Sequence, residues 1–218
     1  MAGAGIFSPE YAREDTGETE LFGTVDRASL QALIDARIAA HDEKVIDEGK
    51  DLVQVVPVNT FCGTTPASLG IVMAYAMEYE GGRLREKYDF VPMFLTDESR
   101  IVERARTTGI FIFSNYLWNV KENLQLSAAV KAVNPLNVTI HGGPSTPSYE
   151  HDCEMFFAEH PHVDIAVRGE GELTFADRLD KLDRHNGTDL ELLSAVPGLS
   201  YRRSDGVYRT ENRERIAD

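Results

Sequence analysis

The apolar and polar positions divide the chain into stretches of different period. Residues 1–25 mix Gly, Pro, Thr and acids with no period at all, which predicts an arm without a packing face of its own. From Asp26 to Glu48 the residues Leu30, Leu33, Ile34, Ile38, Val45 and Ile46 keep a helical stripe, while Asp35, Arg37, Asp42, Glu43 and Lys44 take the other face, so one amphipathic helix is expected. After Gly49 short apolar runs alternate with longer runs of helical period. The short runs, read as strands, are 51–60 (DLVQVVPVNT), 91–96 (VPMFLT), 109–115 (GIFIFSN), 136–143 (LNVTIHGG) and 163–172 (VDIAVRGEGE). The helical runs are 68–82, 98–106, 120–134, 148–160 and 173–185, and Gly81 and Gly82 read as a helix C-cap.

Strands that are apolar throughout are covered on both faces, and strands alternating with helices call for parallel pairing through right-handed crossovers. The pattern therefore predicts an α/β fold: a doubly wound, flavodoxin-like or Rossmann-like five-stranded parallel sheet with an N-terminal helical extension. In VPGLSYRRSDGVYRT (196–210) two β-rich runs flank SDG, which predicts a C-terminal β-hairpin on the sheet's edge. The expected division is 1–50, arm and helix; 51–195, the α/β domain; 196–218, the hairpin and the start of a linker. The strand order for such a sheet is 2-1-3-4-5, with ligands outside the carboxyl ends of the strands.

That rule brings four loops to one edge: NTFCGTTP after the first strand, SNYLWN after the third, HGGPSTPS after the fourth and RGEGELT after the fifth. Gly142 and Gly143 strip side chains from the chain where it turns, which suits either a tight strand-to-helix turn or a large ligand lying on bare backbone. Gly169 and Gly171 can expose N–H groups near a helix start, but Glu170 and Glu172 would repel a phosphate. No GxGxxG and no GxxxxGK[ST] occurs, so a nucleotide fingerprint is missing.

Composition narrows the function classes. The formal net charge of -14 opposes a nucleic-acid surface or an acidic membrane, both of which need clustered Lys and Arg. Cys62 and Cys153 are far apart and in no CxxC pairing, so neither a disulfide framework nor a thiolate metal site is expected. No apolar run reaches the roughly 20 residues that span a bilayer, and the first residues lack the pattern of a signal peptide, which predicts a cytoplasmic protein.

The ordered set HGGP, VDIAVRGEGELTFADRL and VPGLSYR, within about Asp51 to Arg202, resembles the cobalamin-binding domain on the N-terminal side of class B radical SAM enzymes. The resemblance implies cobalamin across the carboxyl edge, its dimethylbenzimidazole tail threaded between sheet and helices. Gly142 and Gly143, with Pro144, would open the slot, and Ser114 would offer its hydroxyl to the tail, SNYL being similar to the serine-x-leucine element of the wider cobalamin fold. The loop after the first strand has no DxHxxG, so the resemblance implies no histidine ligand to cobalt. The corrin would rest on Asn59, Thr60, Phe61, Cys62 and Gly63 from one loop and Asn115, Tyr116 and Leu117 from another, while Gly169, Glu170, Gly171 and Glu172 approach from the side. Asn59, Phe61, Cys62, Asn115 and Tyr116 are candidates to face the metal. His141 is either a strand-end histidine satisfied by hydrogen bonds or one that touches the corrin, and Trp118 either stacks on a ring or packs.

The resulting expectation is a cobalamin-binding, methyltransferase-like fragment that is inactive alone and has no catalytic residue or protein metal ligand of its own. Its partner would be a radical SAM domain, in the same protein or in trans, that carries the 4Fe-4S cluster, SAM and the CxxxCxxC motif absent here. The alternatives are a non-enzymatic flavodoxin-like docking or sensing module, and a flavin- or nucleotide-binding domain.

Overall fold

A computed structural model describes residues 27–48, 52–58, 60, 67–92, 98–182 and 192–215. The elements follow in the order α1 (Arg27–Glu48), β1 (Val53–Val58), α2 (Ala67–Glu78), β2 (Tyr88–Phe90), α3 (Glu98–Arg104), β3 (Gly109–Ser114), α4 (Val120–Val133), β4 (Val138–Gly142), α5 (Glu150–Glu159), β5 (Ile165–Val167), α6 (Gly171–Lys181), β6 (Leu199–Arg203) and β7 (Gly206–Arg209). They build one sheet in the order β2-β1-β3-β4-β5-β6-β7. The first five strands of that order are parallel, as the alternation predicts. The hairpin joins the same sheet antiparallel to β5, so the sheet has seven strands rather than five.

The period of two along each strand separates two cores. Val55, Ile110, Ile112, Val138, Ile140 and Val167 face α2 and α6. Val56, Val58, Phe111 and Phe113 face the other way, together with Ile38 of α1, Ile101 of α3 and Val130 of α4. Every residue of β3 is buried, which is why GIFIFS carries no polar alternation. Burying each of its Phe and Ile side chains contributes roughly 1.5–3 kcal/mol before the ordering cost.

The second strand lies earlier than the apolar run VPMFLT implies. Tyr88, Asp89 and Phe90 pair with Val53, Gln54 and Val55. Val91 adds one more bond to Val55 O at 3.0 Å, and Pro92 has no N–H with which to continue the ladder. Asp89 makes this strand look polar, but its carboxylate is used inside the fold: it accepts from His41 Nε2 of α1 at 2.7 Å. Arg100 to Asp35 and Arg104 to Asp42, at 2.5 and 2.6 Å, complete the polar docking of α1. The predicted stripe of that helix is buried at Ile38, whereas Leu33 is 56 % exposed.

Arg168, at the end of β5, fastens the hairpin. Its buried guanidinium donates to Leu199 O, to Ser200 Oγ at 2.8 Å and to Thr210 O at 2.6 Å. Arg213 then reaches α6, donating to Thr174 Oγ1 at 2.8 Å and to Asp177 Oδ2. Among the described residues no helix is long and apolar enough to cross a membrane.

Candidate functional site

Between the sheet and helices α2 and α6, at the carboxyl ends of the strands, lies a cavity of about 420 Å³. This is within the range of roughly 300–1,000 Å³ usual for ligand pockets. The inward parity of the strands makes its floor, Ile112, Ile140 and Val167, and α2 and α6 add Leu69, Val72 and Phe175. At the rim the same parity continues into Ser114 and Gly142, one step past the apolar residues of β3 and β4. Gly143, Pro144, Gly169, Glu170, Gly171 and Glu172 close the rim. A Cβ at Gly171 would make ordinary van der Waals contact with Val72 Cγ2 at 3.4 Å, so the packing there does not demand glycine.

The two glycines at the end of β4 have different jobs. Gly143 has φ +91, and a Cβ on it would lie 2.7 Å from Asn115 O and 2.8 Å from Asn115 N, so only glycine lets this turn lie against the β3 loop. The contact is sealed by Asn115 N to Gly142 O at 2.7 Å and Ser145 N to Asn115 O at 3.0 Å. Gly142 leaves room instead: a Cβ would meet Val167 Cβ at an ordinary 3.7 Å, inside the cavity wall. The tight turn and the ligand-sized space inferred from HGGP are therefore both present, on neighbouring residues.

Behind the β3 loop is a buried polar network. Asn123 donates to Ser114 O at 3.0 Å and to Asn115 Oδ1 at 2.9 Å, and accepts from Thr60 Oγ1 at 2.8 Å. His141 belongs to this network and not to the cavity. One residue short of Gly142, it has the opposite parity; it stacks on Phe113 with ring centroids 4.5 Å apart, and its Nε2 is 3.0 Å from Ser127 Oγ of α4. Full burial pushes its pKa down to about 3, so it is a neutral imidazole. Of its two readings, the one satisfied by hydrogen bonds describes the structure.

Asn115 also faces the network, its side chain near His141 Nδ1 and Thr146 Oγ1, and does not line the cavity. Leu117, in the turn into α4, is 86 % exposed and does not line the cavity. Tyr116 lines the cavity and stacks on the exposed Trp118, centroids 4.9 Å apart. Asn59, Phe61, Cys62 and Gly63 lie outside the described residues.

Ser68, in the first turn of α2, is a site residue that the sequence reading passes over. Its Oγ is 3.0 Å from Ser114 Oγ and receives the Tyr116 hydroxyl at 3.3 Å. The signal available was its place just after the first loop, where α2 starts at the same rim. Among the described residues no group of three or more His, Cys, Asp or Glu could hold a metal ion.

Fold and crevice together define a doubly wound α/β domain with a largely apolar crevice between sheet and helices at its carboxyl edge. No protein-family model matches the chain. In sequence it is 33% identical over 140 residues to a 2-(S-pantetheinyl)-carbapenam-3-carboxylate methyltransferase of Streptantibioticus cattleyicolor, a match covering 63% of this chain and 19% of that protein. It is 31% identical over 141 residues, with the same coverages of 63% and 19%, to the cobalamin-dependent radical SAM methyltransferase TokK of Streptomyces tokunonensis. The chain thus spans about a fifth of the length of the curated relatives it matches.

In structure it is similar to the radical S-adenosylmethionine methyltransferase TsrM of Kitasatospora setae, with cobalamin and a 4Fe-4S cluster bound, at a TM-score of 0.50 and 18% identity over 78% of this chain and 30% of that one. It is also similar to the radical enzyme OxsB with aqua-cobalamin bound, at a TM-score of 0.52 and 19% identity over 75% of this chain and 23% of that one. The structural likeness bears out the fold. The sequence matches bear out the resemblance to radical SAM enzymes of the cobalamin-dependent kind.

Proposed function

We propose that this chain is the cobalamin-binding domain of a radical SAM enzyme of the methyltransferase type. The observation that carries the reading is the crevice itself: an apolar slot of about 420 Å³ between sheet and helices, reached past bare backbone at Gly142. An aromatic nucleotide tail fits such a slot. Its faces would meet Ile112, Ile140, Val167 and Phe175, while Ser114 supplies a hydroxyl to its polar atoms. The corrin would lie over the rim formed by Gly143, Pro144 and the Gly169–Glu172 loop.

When bound, cobalamin supplies the organometallic chemistry of its cobalt. The chain's own residues bind it, orient it and keep water from the tail; none of them is assigned a catalytic step. The chain has two Cys and no CxxxCxxC, so the 4Fe-4S cluster and SAM belong to a partner radical SAM domain, in cis or in trans. The relatives support that architecture, since this chain matches only 19% of each.

Mixing the protein with hydroxocobalamin, desalting and recording the visible spectrum tests the reading. Retention of one corrin per chain is expected. Colourless protein after desalting overturns it, and retention of flavin mononucleotide in place of the corrin points to a flavin domain.

A further inference from the structure

We propose that Ser68 and Tyr116 are positioning residues that set the direction of the Ser114 hydroxyl, so that the crevice presents a hydrogen-bond donor to an acceptor nitrogen of the ligand's aromatic tail; the inference rests on the cobalamin reading. Three elements supply the three hydroxyls: α2 carries Ser68, the end of β3 carries Ser114, and the loop that follows carries Tyr116. Each hydroxyl has one hydrogen to give and can accept at its oxygen. The Tyr116 phenol, the most acidic of the three, donates to Ser68 Oγ at 3.3 Å.

Either oxygen of the Ser68–Ser114 pair, 3.0 Å apart, can donate; accepting from Tyr116 polarises the Ser68 hydroxyl and makes it the better donor of the two, so in this chain Ser68 gives its hydrogen to Ser114 Oγ. The Ser114 hydrogen is then left to point into the crevice, where the apolar residues Leu69, Ile140, Val167 and Phe175 offer it no acceptor. Ser114 is only 6% exposed and its carbonyl oxygen is held by Asn119 and Asn123, so the residue cannot swing out to find water. A ligand with an unprotonated ring nitrogen satisfies that donor, and one that presents an N–H there does not.

The test compares hydroxocobalamin with cobinamide, which has the corrin but no nucleotide tail, by equilibrium binding to the wild type, Ser68→Ala, Ser68→Thr and Tyr116→Phe. The wild type should prefer hydroxocobalamin. Ser68→Ala and Tyr116→Phe should each lower hydroxocobalamin affinity about three- to tenfold with cobinamide affinity unchanged, and Ser68→Thr, which keeps the hydroxyl, should restore it. Equal losses for both ligands would reveal a merely structural role and overturn the inference, as would unchanged hydroxocobalamin affinity. A wild type that prefers neither ligand removes the tail from the crevice, and one that binds neither overturns the cofactor reading as well.

Discussion

Gly143 lies against Asn115 so closely that a methyl group on Gly143 would fall 2.7 Å from the Asn115 carbonyl oxygen. Backbone, not a flexible side chain, is what it would strike, and the left-handed φ of +91 adds strain for any L residue. Gly143→Ala should therefore cost about 2–4 kcal/mol in chemical denaturation. Gly142→Ala should leave the midpoint near wild type and weaken hydroxocobalamin retention, because its methyl enters the crevice beside Val167. Equal stability losses in the two variants would contradict this division.

The buried His141 makes the fold acid-sensitive. Its folded pKa of about 3 is far below the unfolded value of 6.5, so as pH falls below 6.5 the unfolded chain takes up a proton that the folded chain refuses. Stability contributed by this residue is complete above pH 6.5 and falls by about 1.4 kcal/mol for each pH unit below it. Urea unfolding between pH 7 and pH 4 should show a steeper loss for the wild type than for His141→Asn.

His41 works in the opposite sense. Its hydrogen bond to Asp89 raises its pKa against the opposing cost of burial, with Asp42 adding to the rise. The stabilisation is complete below pH 6.5 and is lost as pH climbs through the raised folded value. Hydrogen exchange in α1, corrected for intrinsic rate, should speed up from pH 6 to pH 9, and Asp89→Asn should weaken the dependence, leaving the part that Asp42 supports.

Arg178, in α6, is 1% exposed, and none of its guanidinium nitrogens has a hydrogen-bond partner among the described residues. Burial pushes its pKa down to about 10. Removing a desolvated, unpaired charge while keeping the volume should raise stability by about 1–2 kcal/mol. A higher Tm for Arg178→Met is the expected outcome, and a lower one would mean that the guanidinium is satisfied.

Much of the fold was legible because the parallel strands are buried on both faces: GIFIFS and the run around Ile140 have no other place to go. β2 was misread because Asp89, a strand residue, spends its charge on a helix more than 40 positions upstream, a partner that local periodicity does not contain. Gly142 and Ser114 were legible as rim residues, and parity alone would have sent His141 to the opposite face. Ser68 and Arg168 escaped for another reason. Their roles depend on Tyr116 and on the backbone of residues 199–211, groups that only the folded topology brings near.

The antiparallel hairpin has a geometric effect on the route of the polypeptide. A parallel sheet sends its chain away from each ligand rim through a descending helix; β6 descends in place of a helix, its turn lies at the far side, and β7 climbs back. Two reversals cancel. Residues 210–213 are consequently returned to the brim beside Arg168 and the first turns of α6, pinned by Arg213, and any module attached there begins its journey level with the mouth of the crevice.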